Sequence, residues 1–143
     1  MKLRRRARFA ARFPARQAAR KELLAFVQGL PRLLGRSEED CVRLVLALEE
    51  AAMNVASYAR TATYIGIRVD FDVARSRVTV LMTDDGEAFD PLRAAPPLVE
   101  GYIGTDKIGG LGIHLFTSLS SGIRYRRILG RNLLRLTFIL PRA

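Results

Sequence analysis

The sequence has few of the features that mark a secreted or membrane-bound protein. It contains a single cysteine, Cys41, so no internal disulfide can form. No apolar run approaches the roughly 20 residues of a membrane span, and the N-terminus lacks the apolar stretch of a secretory signal. We therefore expect a cytoplasmic protein without membrane association, since a lone thiol is ordinary in a reducing compartment.

Acidic residues are missing from both ends of the chain. Residues 1–21 carry nine Lys or Arg and residues 107–143 carry seven, whereas residues 22–106 carry eight basic and 14 acidic groups. The net charge of +10 is therefore concentrated in the two ends. Basic ends are compatible with nucleic-acid binding, but they also fit strands with a solvated arginine face. The alternation of residue types favours the second interpretation.

Hydrophobic periodicity predicts five strands. In residues 3–13 one parity is held by Leu3, Ala7, Phe9, Ala11 and Phe13, and all of the arginines except Arg5 share the other. Residues 64–73 alternate in the same way, and residues 77–83 form the next strand. The segments "IRYRRIL" and "NLLRLTFIL" predict two final strands, joined by a hairpin-like turn at Gly130-Arg131.

Two helices are predicted between the first and second strands. Pro14 suits a first helical turn, and "ARQAARKELLAFVQGL" after it has an amphipathic pattern that should stop at Gly29 and Pro31. Ser37 followed by Asp40 resembles a capping box. It predicts the start of a second helix that runs to about residue 59.

The remaining segment and the order of elements predict the fold class. Residues 85–109 are expected to be a loop, and a third helix follows at about residues 110–120. The order strand, helix, helix, strand, strand, loop, helix, strand, strand predicts an α+β fold. We expect a two-layer sandwich with about three helices on one face of a mostly antiparallel, mixed sheet. With 143 residues and no linker, the chain should form one domain over residues 1–143.

Two polar residues interrupt the otherwise apolar second helix. Glu50 and Asn54 are four residues apart and share one face with the small Ala47 and Ala51. One interpretation is an exposed face with an ordinary intrahelical hydrogen bond. The other is a functional site, because buried polar groups are costly unless they are satisfied. There the Asn54 amide oxygen would meet a hard cation, and Glu50 would polarise a nucleophile.

Two further segments combine glycine with charged residues. "LMTDDGEAFDP", residues 81–91, ends a predicted strand on Asp84, Asp85 and Gly86. It is either an exposed turn or a carboxylate at the mouth of a pocket. "GYIGTDKIGGLGI", residues 101–113, holds five of the 11 glycines. It precedes the third helix, where backbone N–H groups favour an anion, although a flexible loop has a similar composition.

Taken in order, these segments resemble the motifs of the GHKL superfamily, which includes gyrase, heat-shock chaperones, sensor histidine kinases and mismatch-repair ATPases. The likeness is greatest to small bacterial anti-sigma factors that are also serine kinases. Their motifs Glu-x-x-x-Asn, Asp-x-Gly with Phe-Asp-Pro, and Gly-Gly-Leu-Gly are matched by "ALEEAAMN", "DDGEAFDP" and "GGLGIHL". Order and spacing agree over nearly the whole chain, so the resemblance implies the Bergerat fold.

The resemblance implies that ATP binds together with Mg²⁺. Asp84 would accept a hydrogen bond from the adenine amino group, and Gly86 would let the backbone pass under the base. Asp85 would be the variable, exposed residue between them. Asn54 would help to hold Mg²⁺, and Glu50 would be the general base in phosphoryl transfer.

Further roles implied by the resemblance fall near the third motif. Residues 91–109 would form a lid over the nucleotide. The backbone amides of Gly110 and Gly112 would approach the phosphates. A basic residue of the lid, Lys107 or Arg93, would meet the terminal phosphate.

Three functions are compatible with the sequence. The resemblance implies an ATP- and Mg²⁺-binding regulator that phosphorylates a small antagonist protein, has a sigma factor as a second candidate partner, and forms a homodimer. The second function is a nucleotide-gated binding module without kinase activity. The third is a basic nucleic-acid-binding protein, but interleaved exposed aromatics and a recognised helix motif are missing. No specific nucleic acid is therefore expected.

Overall fold

The computed structural model describes residues 5–16, 19–58, 61–94 and 117–142. Its helices and strands are β1 (Arg6–Pro14), α1 (Arg20–Gln28), α2 (Leu30–Leu34), α3 (Val42–Tyr58), β2 (Tyr64–Asp72), β3 (Arg77–Asp84), α4 (Pro91–Ala94), β4 (Gly122–Ile128) and β5 (Arg131–Ile139). Residues 117–119 are also helical, and the rest of the predicted third helix lies outside the described residues. All five predicted strands are present.

The five described strands form one sheet in the order β1-β2-β3-β5-β4. All four pairings are antiparallel, so the described sheet contains none of the parallel pairs that a mixed sheet would have. Successive side chains point to opposite faces of the sheet. One face is mostly apolar, with Asp84 and Asn132 as its buried polar exceptions, and Ile67, Val69, Val80 and Leu136 are fully buried at its centre.

Helices α1, α2 and α3 form the second layer of the sandwich. Their buried residues, among them Leu23, Val27, Leu30, Leu44 and Leu48, form one hydrophobic cluster with the apolar face of the sheet. Burying each such side chain contributes about 1.5–3 kcal/mol, so this contact holds the two layers together. The predicted α+β sandwich with helices on one face is confirmed. Within the described ranges, no helix combines the length and apolar character needed to cross a membrane.

The first helix begins later than the sequence predicts. Pro14 does not enter a helix; it ends β1 opposite Tyr64, and the N–H of Ala15 donates to the carbonyl of Thr63 at 3.1 Å. Because β1 lies at an edge of the described sheet, a residue without an N–H is tolerated there. Helix α1 consequently begins at Arg20.

Helix α1 ends at Gln28, as predicted, but a second short helix, α2, follows it directly. Gly29 keeps a right-handed conformation with φ of −80°, and Pro31 stands in the first turn of α2, where an N–H is not needed. The chain leaves the helical path at Gly35, whose φ of +67° is a left-handed conformation that glycine adopts without strain. The predicted stop at Gly29 is therefore confirmed for α1, whereas the separate helix α2, which was not predicted, ends at Gly35.

The predicted cap before α3 forms, but the helix starts after it. Ser37 Oγ accepts a hydrogen bond from the N–H of Asp40 at 3.1 Å. A turn over residues 38–41 follows, and α3 begins at Val42. The serine thus fixes the turn that leads into the helix.

The β4–β5 hairpin turns one residue earlier than predicted. Leu129, with φ of +49°, and Gly130, with φ of +76°, occupy the two turn positions, whereas Arg131 already belongs to β5. Positive φ at both central residues is typical of a type I′ turn, whose twist matches that of a hairpin. Glycine satisfies this requirement freely, whereas the exposed Leu129 gives no turn signal in the sequence.

Candidate active site

Asn54 of α3 is buried although its side chain is polar. It is 6% exposed, and neither its Oδ1 nor its Nδ2 has a hydrogen-bond partner among the described residues. Leaving a buried polar group unpaired costs roughly 1–3 kcal/mol. The interpretation of an exposed helical face with an intrahelical hydrogen bond is therefore wrong for Asn54, and the buried amide is a candidate for ligand contact.

Glu50, one turn before Asn54 on α3, is half-buried. Its neighbour Glu49 accepts a hydrogen bond from Gln28 Nε2 at 3.2 Å, which directs Glu49 towards α1. The two adjacent carboxylates therefore have different surroundings. Of the two, Glu50 is the one left for chemistry beside Asn54.

Asp84 ends β3 and is 5% exposed. Its Oδ1 accepts two hydrogen bonds, from the N–H of Gly86 at 3.0 Å and from Asn132 Nδ2 at 2.9 Å. These two donors fix the orientation of the carboxylate before any ligand arrives. The interpretation of residues 81–91 as an exposed turn is therefore wrong at Asp84.

Asn132 of β5 belongs to this site, although it was not among the site residues predicted from the sequence. It is the direct cross-strand partner of Asp84. Its Nδ2 also donates to the carbonyl of Glu87 at 2.8 Å, and its Oδ1 accepts from the N–H of Phe89 at 3.2 Å and the hydroxyl of Tyr125 at 2.5 Å. Burial raises the pKa of Tyr125, so its hydroxyl remains a donor at neutral pH. Asn132 thus connects Asp84 to the segment that follows it.

The backbone after Asp84 is held from two further sides. Gly86 is buried, and its carbonyl accepts a hydrogen bond from Arg127 Nη1 at 2.7 Å. The N–H of Glu87 donates to Thr61 Oγ1 at 2.7 Å. These hydrogen bonds tie the segment to β4 and to the residues before β2. The role of Gly86 beneath a base stays a prediction.

Asp85 is not the exposed, variable residue that the resemblance implied. It is half-buried, and its carboxylate accepts hydrogen bonds from the N–H of Thr63 at 2.7 Å, the N–H of Tyr64 at 3.2 Å and the Thr63 hydroxyl. The Thr63 hydroxyl is the main cause that lowers the pKa of Asp85 to about 2. Asp85 therefore joins the end of β3 to the start of β2, which is a structural role.

Replacing Asp85 with asparagine is expected to destabilise the fold at neutral pH and to make stability less sensitive to acid. The folded-state pKa lies below the ordinary value of 3.8. The ionised carboxylate therefore stabilises the fold above about pH 4, and this contribution is lost as the pH falls towards 2. Urea denaturation of both proteins should show a wild-type advantage at neutral pH that shrinks through this window. A difference that is independent of pH would contradict this role.

A small cavity brings the candidates of α3 and β3 together. Asn54 and Asp84 line it with Tyr125 and Asn132, and its volume is about 20 Å³. Glu50 is not part of its lining. This volume suits about one water molecule, whereas small-molecule pockets usually measure about 300–1,000 Å³. The structure thus places Asn54 and Asp84 at one site, with Glu50 one helical turn away.

Several predicted site residues lie outside the described part of the chain. These are Gly110, Gly112, Lys107 and most of the predicted lid. Their roles stay predictions. The first residues of the predicted lid form the short helix α4, where Arg93 is exposed and its Nε lies 3.8 Å from Asp90 Oδ2.

The described residues contain no cluster of three or more His, Cys, Asp or Glu side chains placed to hold a metal ion. Mg²⁺ is usually held by one or two protein groups together with water and the phosphates of a substrate. The unpartnered Asn54 Oδ1 is an uncharged hard oxygen. It therefore fits the chemistry of a single protein ligand to such an ion.

Known proteins resemble this chain over most of its length. The sequence profile of the histidine kinase-like ATPase domain matches residues 13–138. The chain is 30% identical over 95 residues to the serine/threonine-protein kinase BtrW of Bordetella bronchiseptica, covering 66% of this chain and 67% of that protein. It is 28% identical over 103 residues to the serine-protein kinase RsbW of Bacillus licheniformis, covering 68% and 64%. The matches thus span about two thirds of each curated relative.

Two solved structures share the fold. One contains the RsbU and RsbW domains of a Mycobacterium tuberculosis protein, with a TM-score of 0.64 and 17% identity over 96% of this chain and 33% of that one. The other is the SiaB–SiaC complex from Pseudomonas aeruginosa, with a TM-score of 0.57 and 12% identity over 91% and 88%. The profile match and the shared fold agree, and the chain belongs to the family of histidine kinase-like ATPase domains.

Proposed function

We propose that this protein is an ATP- and Mg²⁺-binding regulator of the anti-sigma factor type, which phosphorylates a serine or threonine of a small antagonist protein. The observation that carries the proposal is one cavity lined by both the unpartnered Asn54 amide and the fixed Asp84 carboxylate. Two similar proteins named as serine or serine/threonine kinases support it. Residues 1–143 would act as one domain in the cytoplasm, as a homodimer, with a sigma factor as a second partner.

In this proposal Asp84 recognises the adenine base. Its carboxylate, oriented by Gly86 and Asn132, accepts a hydrogen bond from the adenine amino group. A hydrogen bond to a charged group contributes about 1.5–3 kcal/mol. Because internal donors already fix the carboxylate, little conformational freedom is lost when the base binds.

Asn54 and Glu50 act on the phosphate side of the same site. Asn54 Oδ1 would be a ligand to Mg²⁺, which when bound neutralises charge on the phosphates. Glu50, one turn away on α3, would accept the proton of the attacking hydroxyl. Gly110 and Gly112 would supply backbone amides to the phosphates and Lys107 a positive charge, as the sequence motif suggests.

A nucleotide does not fit the cavity as it stands. Its volume of about 20 Å³ is far below that of ATP, so its lining can account for only part of the proposed nucleotide site, and Lys107, Gly110 and Gly112 lie outside the described residues. Phe89 and Pro91 form part of the lining and lead directly into the predicted lid.

The variant Asn54→Leu tests the proposal through two opposite effects. Removing the unpartnered buried amide should raise the free energy of unfolding of the ligand-free protein by about 1–3 kcal/mol. The same change should abolish the Mg²⁺-dependent part of ATP affinity. Urea denaturation measures the first effect, and calorimetric titration with ATP, with and without Mg²⁺, measures the second.

The neighbouring variant Met53→Leu is the matched control. Met53 is not part of the cavity lining, so both measurements should stay near the wild-type values. If Asn54→Leu responds to Mg²⁺ as the wild type does, the metal role of Asn54 is wrong. If the wild type binds no ATP, the proposed function is wrong as a whole.

A nucleotide-gated binding module without kinase activity is the second candidate. One observation favours it, because Glu50 does not line the cavity shared by Asn54 and Asp84. Transfer of radiolabel from ATP to a partner encoded by a neighbouring gene separates the two functions. Both candidates bind ATP, but only the kinase labels the partner.

A further inference from the structure

The sheet face opposite the helices, the open face, is covered with arginine. By strand register the described strands place nine arginines and two aspartates on it, and all nine arginines are exposed. Nine positive charges against two negative ones leave +7. The charged residues of the open face are Arg6, Arg8, Arg12, Arg68, Arg77, Arg124, Arg126, Arg131 and Arg135, with Asp70 and Asp72. The arginine face predicted for the first strand is thus part of a larger surface.

A groove of about 560 Å³ lies on the open face. Arginines from four of the strands line it, together with Asp70, Asp72, Thr79 and Leu81. It is much larger than the cavity of about 20 Å³ beside Asp84, and it lies on the other side of the sheet. The groove is therefore a concave surface separate from the candidate active site.

The aspartates of the open face neutralise only part of its charge. Asp70 Oδ1 lies 2.6 Å from Arg8 Nε, and Asp70 Oδ2 lies 3.3 Å from Arg68 Nε. Within the described residues, Arg77 and Arg135 of the same groove make no salt bridge. Their guanidinium groups are therefore available to a partner. Arginine binds carboxylates through two parallel hydrogen bonds, which lysine cannot do.

The residues between the arginines favour a polypeptide over a nucleic acid. Sheets that bind single strands stack bases on exposed aromatic side chains. In the described strands the one aromatic residue on the open face is Tyr64, and the Arg12 guanidinium covers its ring at 3.7 Å from the centroid. Leu81 offers instead a contact for an apolar side chain.

The spacing of the groove matches an α-helix. Arg68 on β2 and Arg135 on β5 are the cross-strand neighbours of Leu81 on β3. They are two strand spacings apart, which is roughly 10 Å, and a helix with its side chains is about 10–12 Å wide. A helix lying along β3 would therefore place its apolar side chains over Leu81 and its flanking carboxylates on the two arginines.

We propose that the open face docks an acidic amphipathic helix of a partner protein, lying along β3 between Arg68 and Arg135. A second copy of this chain is a poor occupant, because the same face would oppose a charge of +7 with another of +7. The proposal does not rest on ATP binding or on phosphoryl transfer. It concerns the side of the sheet away from Asp84.

Direct titration of the ligand-free full chain tests this docking surface at physiological salt. Three labelled probes are compared: a peptide of about 20 residues with Leu at helical spacing and Glu beside it, the same peptide with Ser in place of Leu, and a duplex DNA. We expect the Leu/Glu peptide to bind at least about tenfold more tightly than either other probe, because it alone matches both the charge and the apolar centre. Tighter binding of the DNA, or no preference for Leu over Ser, would overturn the proposal.

Charge reversal locates the docking site. Arg68→Glu combined with Arg135→Glu should weaken Leu/Glu peptide binding by about 100-fold, roughly tenfold for each charge-assisted hydrogen bond that the pair removes. The milder pair Arg68→Gln with Arg135→Gln should weaken it by about tenfold, because each glutamine loses the charge but can still donate a hydrogen bond. The control pair Arg32→Glu with Arg43→Glu makes the same change in net charge at exposed positions outside the sheet. The affinity of this variant for the Leu/Glu peptide should fall by less than about threefold.

Other results with these variants would count against the docking helix. An equal reduction in the control pair would show attraction by net charge alone. A change of oligomeric state in the Arg68 and Arg135 pairs, seen by light scattering, would assign the open face to a second copy. ATP titration should be unchanged in all pairs, so a failure here is distinguishable from a failure of the nucleotide site.

Discussion

Glu50→Gln is expected to slow phosphoryl transfer to the partner by about 10²–10⁴-fold, the usual contribution of a general base. Glutamine has nearly the same shape as glutamate but cannot take up the proton of the attacking hydroxyl. ATP affinity should stay within a few fold, because Glu50 does not line the cavity shared by Asn54 and Asp84. Single-turnover transfer of radiolabel gives the rate, and calorimetry gives the affinity.

Glu49→Gln provides the matched control on the same helix. Glu49 accepts a hydrogen bond from Gln28 at 3.2 Å, and a glutamine at this position can still accept it. Transfer rate and ATP affinity should both remain close to the wild-type values. Equal slowing by the two variants would show that neither carboxylate is the base. A wild type that binds ATP yet labels no partner would favour the binding module.

Asp84→Asn is expected to weaken ATP binding by roughly tenfold to a hundredfold, the loss of one hydrogen bond to a charged group. Asparagine keeps an oxygen that can accept from Gly86 and Asn132, so the fold should be preserved. The other carboxylate oxygen becomes an amide donor, which opposes the adenine amino group. Calorimetric titration measures the affinity, and unchanged binding by the folded variant would remove the proposed role of Asp84.

Two comparisons make the Asp84 result specific. Asp72→Asn also removes a carboxylate from the end of a strand, but on the open face, where Asp72 accepts a hydrogen bond from the N–H of Arg75 at 3.3 Å. Its ATP affinity should be unchanged. GTP has a carbonyl where ATP has the amino group, so Asp84→Asn should also reduce the preference for ATP over GTP.

The strands were predictable from the sequence because burial of one face of the sheet requires buried apolar residues and more exposed residues to alternate along each strand. Along β2, Ile65, Ile67, Val69 and Phe71 are all buried, and the residues between them are not. A shift of one residue would expose all four, so the pattern specifies both the strand and its face. This constraint is local, and the sequence alone therefore contains it.

The ends of the elements were less predictable because distant contacts decide them. Pro14 suits a helical turn in isolation, but its position opposite Tyr64 extends β1 instead. Leu129 takes a turn position because the twist of the hairpin requires it, not because leucine favours positive φ. In each case the deciding partner or geometry is remote from the local pattern.

In the candidate site, too, residues with a local signal were predictable, and a residue that depends on a distant contact was not. Glu50, Asn54 and Asp84 could be predicted as site residues because each belongs to a short motif. Asn132 was missed because its partner Asp84 is 48 residues away. A signal was nevertheless present, since Asn132 interrupts the buried parity of β5 just as Asn54 interrupts the apolar face of α3. A polar residue in a buried series is therefore as strong a signal of a site in a strand as in a helix.

The strand order leaves β1 and β4 at the two edges of the described sheet. The unpaired N–H and C=O groups of an edge strand can act as a template for another chain, which is a common start of fibrous aggregation. Here β4 carries Arg124, Arg126 and Arg127, and β1 carries arginines at every second or fourth position. Two such edges repel each other, so charge opposes edge-to-edge pairing of two chains. This protection weakens with salt, since the screening length falls to about 3 Å at 1 M.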